Sequence, residues 1–343
     1  MKAPTMTDVA RRAGVSHATV SRIINGRAGV SAKAEENVRR AIAELQYLAP
    51  PSSQRPGRTP KRPAETSCRH IALLTFDRAL TEHSAFVASI YEGARKAAVE
   101  QGIAVSLLSL DDFDTVPSWI HLDNVDGLLL HGLKSRGHLT RAASEIPSLW
   151  LTTHEDGGVD AVLPGNEAVG RLAAQFLSER GHRHVASVVL DEKNPSYQVR
   201  VEAFKNESRR IGMRTKSVKG ASKTGGNQKD ERLRMEELIS KLAKRKKADR
   251  PTGLFVPSDR MSALAYAACR SCGLEPGKDF EFVSCDNESA YLTGLFPRPA
   301  TIDLGTEARG RLALELLLSR IQNPGIDRRA TLTLEPTLIP SPD

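Results

Sequence analysis

The stretch Val15-Ser16-His17-Ala18-Thr19-Val20-Ser21-Arg22, closed by Asn25-Gly26, decides how the start of the chain folds. Ser16 suits a helix N-cap, because its hydroxyl can accept from one of the orphan N–H groups of a first turn. Asn25-Gly26 supplies a stop, since glycine is free to take positive φ. Upstream, Thr7 to Ala13 sets Val9, Ala10 and Ala13 on one side and Arg11 and Arg12 on the other. Gly14 leaves only a short connection between the two segments. Two short helices joined by a glycine-containing turn form a helix-turn-helix, whose second helix can enter the DNA major groove. A third helix is expected from Ser31 to about Tyr47. Ser31 can cap it, Glu35 and Glu36 complement its dipole, and Val38, Ile42 and Leu45 give it a core face. The resulting minimal core is Val9, Val15, Val20, Ile23, Ile24, Val30, Val38, Ile42 and Leu45.

Charge points to the same stretch. The chain has 343 residues and a net charge of +8. Residues 1–62 hold 12 Lys and Arg against four acids, which leaves 37 of each sign in the remainder. All of the excess therefore lies on the N-terminal fifth, as expected of a module that binds a phosphate backbone. A length of this size suggests two or three domains. No apolar run approaches the ~20 residues of a membrane span, and the N-terminus has no apolar signal region. A cytoplasmic protein with no membrane partner is expected. Cys269 and Cys272 form a C-x-x-C, but no second ligand pair has zinc spacing, so Cys68, Cys269, Cys272 and Cys285 are read as free thiols and no metal is expected.

From His70 onward short apolar runs alternate with helical patterns. Strands are expected at Ile71–Thr75, Ala104–Leu108, Gly127–Leu130, Ser148–Leu151, Ala161–Leu163, Val185–Leu190, Gly253–Val256 and Phe280–Ser284. Helices are expected at Ala85–Gln101, Asn166–Arg180, Ser196–Ile211, Glu231–Lys246 and Met261–Cys272. Such alternation predicts doubly wound parallel sheets with ligands at the carboxyl ends of the strands. There is no G-x-G-x-x-G, P-loop or G-x-S-x-G elbow, so no cofactor and no catalytic residue is expected. The polar, glycine-rich stretch 216–229 reads as a loop. Lys241–Lys247 ends a helix, where positive charge complements the dipole.

The N-terminal stretch resembles the DNA-binding headpiece of the lactose-repressor (LacI) family of bacterial regulators. The match runs without gaps through T-x-x-D-V-A-x-x-A-G-V-S, T-V-S-R-x-x-N and V-S-x-x-x-x-x-x-V-x-x-A-x-x-x-L-x-Y. The resemblance implies that His17, Ala18 and Arg22 read base edges. Arg22 suits guanine O6/N7, Ala18 a thymine methyl, and His17 a guanine or a phosphate. Thr19, Ser21 and Asn25 would hold phosphates and register, with Thr7, Ser16 and Ser31 completing the DNA-facing set.

After Tyr47 the family pattern has a hinge helix that inserts a leucine into the minor groove. Here Ala49 to Pro63 is proline-rich, and Pro56, Pro60 and Pro63 oppose a helix. Pro56 stands at the wedge position. Either that proline wedges a minor-groove step, or the segment is an extended linker whose Arg55, Arg58, Lys61 and Arg62 track phosphates; the linker is favoured.

Further markers are similar to the family's effector-binding core, two lobes related to periplasmic binding proteins. They are Val125 to Leu128, Asn166-x-x-x-Gly170, Arg180 to Ala186, Arg200-x-x-x-Phe204, Pro251 to Asp259, Gly273 to Asp286 and Pro299 to Asp303. The expected domains are a helix-turn-helix headpiece over 1–48, a linker over 49–69 and an effector core over 70–343. Within the core, lobe one takes 70–163 and 303–329, and lobe two takes 164–302 and 330–343. By position, effector contacts fall on Thr152, Pro164, Arg200, Ser258 and Asp286, with Asp77 and Arg78 at the first strand's end. Arg200 and Asp286 are the strongest, since a guanidinium and a carboxylate can orient a polyol. Their competing role is a salt bridge, and Asp259 competes with Ser258 as the cap of the next helix. The cleft is read as poor in stacking aromatics.

The leading expectation is a ligand-responsive regulator, most simply a repressor, binding double-stranded operator DNA as a homodimer and taking a sugar or other small polar metabolite. The alternative is a sugar-binding protein without DNA regulation, which leaves the confined positive charge unexplained.

Overall fold

The computed structural model describes residues 5–24, 31–45, 68–76, 85–110, 125–132, 146–152, 160–220, 228–246 and 249–341. The chain divides into two compact units, Met1–Thr66 and Ser67–Asp343.

The first unit is three helices, α1 (Met6–Ala13), α2 (His17–Ile24) and α3 (Ala32–Leu45). Thr5 starts α1 with a capping box: its hydroxyl accepts from the Asp8 N–H at 3.3 Å, and the Asp8 carboxylate accepts the Thr5 N–H at 2.9 Å. Gly14 ends α1 in the left-handed conformation at φ 66°, which a Cβ would strain. The caps expected at Ser16 and Ser31 form, accepting from the N–H groups of Thr19 at 3.1 Å and Ala34 at 3.4 Å. Val9, Ala10, Ala13, Val20, Val38 and Ala41 are buried together, with Val15, Ile23, Ile24, Ile42 and Leu45 packed half-buried around them. The expected stop at Asn25-Gly26, the core residue Val30 and the whole linker, with Arg55 and Arg58, lie outside the described residues.

The second unit alternates strand and helix. It begins β1 (His70–Thr75), α4 (Ala85–Glu100), β2 (Ala104–Ser109), β3 (Gly127–His131), β4 (Ser148–Trp150) and β5 (Asp160–Pro164). It continues α5 (Asn166–Glu179), β6 (His184–Val189), α6 (Pro195–Arg210), β7 (Arg214–Lys219), α7 (Gln228–Ala243), β8 (Gly253–Phe255) and α8 (Asp259–Ser271). It ends β9 (Glu281–Cys285), α9 (Ser289–Leu292), β10 (Ala300–Asp303), α10 (Thr306–Gln322), β11 (Thr331–Leu334) and β12 (Thr337–Ile339).

The strands build two six-stranded sheets, ordered β11-β5-β4-β3-β1-β2 and β12-β10-β9-β8-β6-β7. Every pairing is parallel except β10 with β12. Each sheet carries an apolar cluster on both faces; lobe two is a three-layer α/β sandwich, and in lobe one α4 and α10 cover one face among the described residues. The chain passes between lobes after β5, after β10 and after β11.

Two expectations need correction. β11 joins the first sheet, in register Thr331↔Ala161 to Leu334↔Pro164, so residues 331–334 belong to lobe one and only β12 closes lobe two. Second, Lys216–Lys219 is not loop but the end of β7, a polar edge strand paired to β6. Edge strands with one wet face lack the continuous apolar run that reveals a buried parallel strand.

Helix pairs approach closely where glycine stands at the contact. A Cβ on Gly93 or Gly310 would lie 1.9 or 2.0 Å from a carbonyl oxygen of the facing helix, which draws α4 and α10 together in lobe one. Gly170 does the same in lobe two, where a Cβ would lie 2.3 Å from the Arg200 carbonyl oxygen. That contact fixes where α6 presents Arg200.

Candidate DNA-reading face and effector cleft

On α2 the side chains of His17, Ala18 and Arg22 are exposed, while Val20 points into the core. Thr19 and Ser21 are half-buried beside them, and the Thr19 hydroxyl lies 2.9 Å from that of Ser16. Thr7 and Ser31 are exposed on the neighbouring helix starts. Arg22 has no salt-bridge partner among the described residues, whereas Arg11 and Arg12 are paired with Asp8 and Glu44. The face therefore offers one uncommitted guanidinium, an imidazole and a methyl on a short, capped helix. Asn25 lies outside the described residues.

In the second unit polar groups gather at the carboxyl ends of β8 and β9. Arg200 on α6 is 3% exposed. Its Nε donates to Asn166 Oδ1 at 2.9 Å, and its Nη1 donates to the Pro257 carbonyl at 2.7 Å and to Asp286 Oδ1 at 3.1 Å. Burial raises the Asp286 carboxyl, against the pull of Arg200. Asp286 and Asn287 both hold positive φ, at 110° and 53°, a conformation that costs energy for a residue with a side chain. Ser258 is the cap of α8, accepting from the Met261 N–H at 3.3 Å. Asp259 is no cap. Its carboxylate turns inward to accept from the Ser284 hydroxyl, from Thr301 Oγ1 at 2.9 Å and from the Glu288 N–H at 2.7 Å. Burial pushes its carboxyl up to about 7, with nearby Asp286 adding to the rise.

In lobe one the corresponding strand ends are those of β3 and β4, with the start of α4 beside lobe two. Thr152 donates its hydroxyl to the Gly132 carbonyl at 2.7 Å and accepts from the Gly132 N–H at 3.3 Å. His131 is buried, and burial together with the neighbouring Arg309 charge pushes it down to about 3, so it is neutral near pH 7. Phe86 bridges the lobes: its ring packs against a core cluster of each, and its N–H donates to Glu288 Oε1 at 2.8 Å. Arg309 of α10 lies with its guanidinium 4.8 Å from the centre of that ring.

The structure thus brings Arg200, Asp286 and Ser258 together beside the carboxyl ends of β8 and β9 in lobe two, and sets Thr152 just after β4 in lobe one. Pro164 is buried at the lobe crossing, paired with Leu334 in the sheet. Asp77 and Arg78 lie outside the described residues. The salt-bridge role weighed for Arg200 and Asp286 holds within lobe two, and the Thr152 and Ser258 hydroxyls are already bonded to backbone. Phe86 lies at the Arg309 guanidinium, and Tyr197 stands on α6 with Arg200 5.8 Å from its ring centre. Burial pushes the Tyr197 phenol up to about 12. Three residues before Arg200 on the same helix, Tyr197 was visible in the spacing. Arg309 was visible as well, since it shares an α10 stripe with Ala313, Leu317 and Ile321. Among the described residues no cluster of His, Cys, Asp and Glu could hold a metal ion, and all four cysteines are free.

Comparison with known proteins accounts for both units. The model of "Bacterial regulatory proteins, lacI family" matches residues 5–49. That of "Periplasmic binding proteins and sugar binding domain of LacI family" matches 78–242, and a "Periplasmic binding protein-like domain" matches 174–340. The chain is 26% identical over 340 residues to the Lactose operon repressor of Escherichia coli, covering 95% of this chain and 87% of that one. It is 28% identical over 346 residues to the Ribose operon repressor of Haemophilus influenzae, covering 98% and 97%. Among solved structures, the transcriptional regulator CelR–cellobiose complex superposes with TM-score 0.67 at 25% identity, covering 98% of this chain and 99% of that one. With the headpiece and the two-lobed core both matched, the chain belongs to the LacI family of bacterial regulatory proteins.

Proposed function

We propose that this protein is a ligand-responsive, sequence-specific DNA-binding repressor. The observation that carries the reading is the exposed His17–Ala18–Arg22 face on a capped helix, within the one part of the chain that holds its excess positive charge. Arg22 is free to bond a guanine edge, Ala18 fits a thymine methyl, and His17 contacts a guanine or a phosphate. Thr7, Ser16, Thr19, Ser21, Asn25 and Ser31 hold the backbone and set register, with Arg55 and Arg58 tracking phosphates from the linker. Relatives named Lactose operon repressor, Ribose operon repressor and HTH-type transcriptional repressor PurR support the sign of regulation and a role without catalysis.

The cleft between the lobes takes the effector, a sugar or related polar metabolite, with Arg200 and Asp286 as its polar anchors. Thr152, Pro164 and Ser258 shape the walls, and Asp77 and Arg78 belong to the same rim. Binding there shifts DNA affinity by the difference in its affinity for two lobe arrangements. The protein acts in the cytoplasm, where operator DNA is found, a reading supported by its similarity to operon repressors. It acts as a dimer, which presents two headpieces to a pseudo-palindromic site.

Selection of binding sites by the full chain from a random duplex library tests this reading. Enrichment of a two-fold-related sequence is expected. A pool that stays random after repeated rounds would remove the DNA-regulator function.

A further inference from the structure

Arg309 is fully buried, and its Nε, Nη1 and Nη2 all lack a hydrogen-bond partner among the described residues. A buried guanidinium normally has its charge matched by a carboxylate and its five N–H donors matched by oxygens. Here the positive charge rests on the face of Phe86. Among the described residues the one carboxylate that acts on it is Asp286, and Asp286 is already bonded to Arg200. His131, beside it, is held neutral. Burial and the Arg200 charge push the Arg309 guanidinium down to about 9, so it still carries its proton at neutral pH. Among the described residues, Arg200 and Arg309 therefore share Asp286, the nearby Glu288 carboxylate is taken by the Phe86 N–H, and the Arg309 fork has no anion bonded to it.

Position makes the deficit meaningful. The guanidinium reaches from lobe one to the ring that packs on both lobe cores, close enough to Arg200 and Asp286 of lobe two to feel their charges. In an open cleft water would satisfy it. With the lobes together and no ligand it is desolvated and unpaired, so closure is disfavoured until something negative enters.

We propose that the cleft takes an anionic ligand, a small polar metabolite bearing a carboxylate or phosphate whose charged oxygens dock on the fork of Arg309. Arg200, Asp286 and Tyr197 then face the uncharged, hydroxyl-bearing remainder of the ligand. This rests on the reading of the cleft as the effector site and narrows it. The anion supplies the differential affinity that regulation requires, because its charge is worth more in the closed arrangement than in the open one.

The test is a set of thermal melts and binding titrations on the full chain at constant ionic strength. The probes are D-glucose, D-gluconate, D-glucose 6-phosphate, acetate and inorganic phosphate, each against chloride. The carboxylate or the phosphate arm is expected to raise the melting temperature and to bind at least tenfold more tightly than D-glucose; which arm responds identifies the anionic group. Arg309→Met, which keeps an unbranched apolar stem without the charged fork, should abolish that preference while leaving the unliganded protein at least as stable. Arg309→Gln is the second neutral variant, used if the first does not fold. The inference is overturned if neither arm shifts the melt, if D-glucose matches the anions, or if the preference survives in the neutral variants. Operator binding is followed on the same samples. An anion preference without any change in operator binding would overturn the effector reading and leave the anion site standing.

Discussion

The two binding regions of this chain prepare their arginines in opposite ways. Arg22 in the headpiece is exposed and uncommitted, on a helix of eight residues whose cap is local. Arg200 in the core is buried and bonded to an amide, a carbonyl and a carboxylate drawn from three separate elements. An exposed guanidinium exchanges water for a base edge or phosphate with little reorganisation, which suits a surface that samples many sequences. A buried one is fixed before the ligand arrives, which suits a site that must distinguish small molecules. The contrast predicts that substitutions around Arg200 read out as stability, and substitutions of the exposed His17, Ala18 and Arg22 as affinity alone.

The largest effect should come from Asp286→Asn, which removes the charge facing Arg200 while keeping a residue type that tolerates positive φ. Breaking a buried pair by neutralising one partner costs about 3–5 kcal/mol, and chemical denaturation should show a loss of that order. A loss below about 1 kcal/mol, the range of an exposed pair, would mean that Arg200 behaves like the exposed arginines of the headpiece.

Next is pH dependence. The Asp259 carboxyl is raised in the folded chain to about 7, so the folded state holds this proton more tightly than the unfolded state does. Its contribution to stability is full below about pH 4 and is lost as pH rises toward 7, at about 1.4 kcal/mol for each pH unit. His131, depressed to about 3, acts in the opposite sense and withdraws stability as pH falls below about 6.5. Denaturation of the full chain between pH 4 and 7 should therefore lose slope in Asp259→Asn, relative to the parent, by up to about 4 kcal/mol across the window. An unchanged slope would place the titration elsewhere.

Smaller again is Ser16→Ala. Removing the α2 cap should cost about 1 kcal/mol, read as a lower melting temperature of the headpiece transition while the core transition stays fixed. A shift in both transitions would contradict the independence of the two units.

Legibility followed the same divide. The headpiece could be read because its signals are local: the caps at Ser16 and Ser31, the glycine turn and the spacing of Val9, Ala13 and Val20 all lie within a few residues of one another. The buried strands could be read from their unbroken apolar runs. Polar edges such as β7 and β11 could not, since their pairing partners and not their own side chains make them strands. In the cleft, Arg200 and Asp286 were found by their place in a family pattern. Arg309 was not, although it interrupts an apolar stripe. Its neighbours Phe86, His131 and Asp286 come from three distant segments, and only the fold sets them around one guanidinium.

The claim that α2 reads DNA is tested most directly by titrating the full chain and Arg22→Ala against the selected operator and against an unrelated duplex at one salt concentration. Loss of a bidentate guanine contact should weaken operator binding by about 1–3 kcal/mol, roughly 5- to 150-fold, while binding to the unrelated duplex changes little. Equal affinity of both proteins for the operator, or an equal loss on both duplexes, would contradict it.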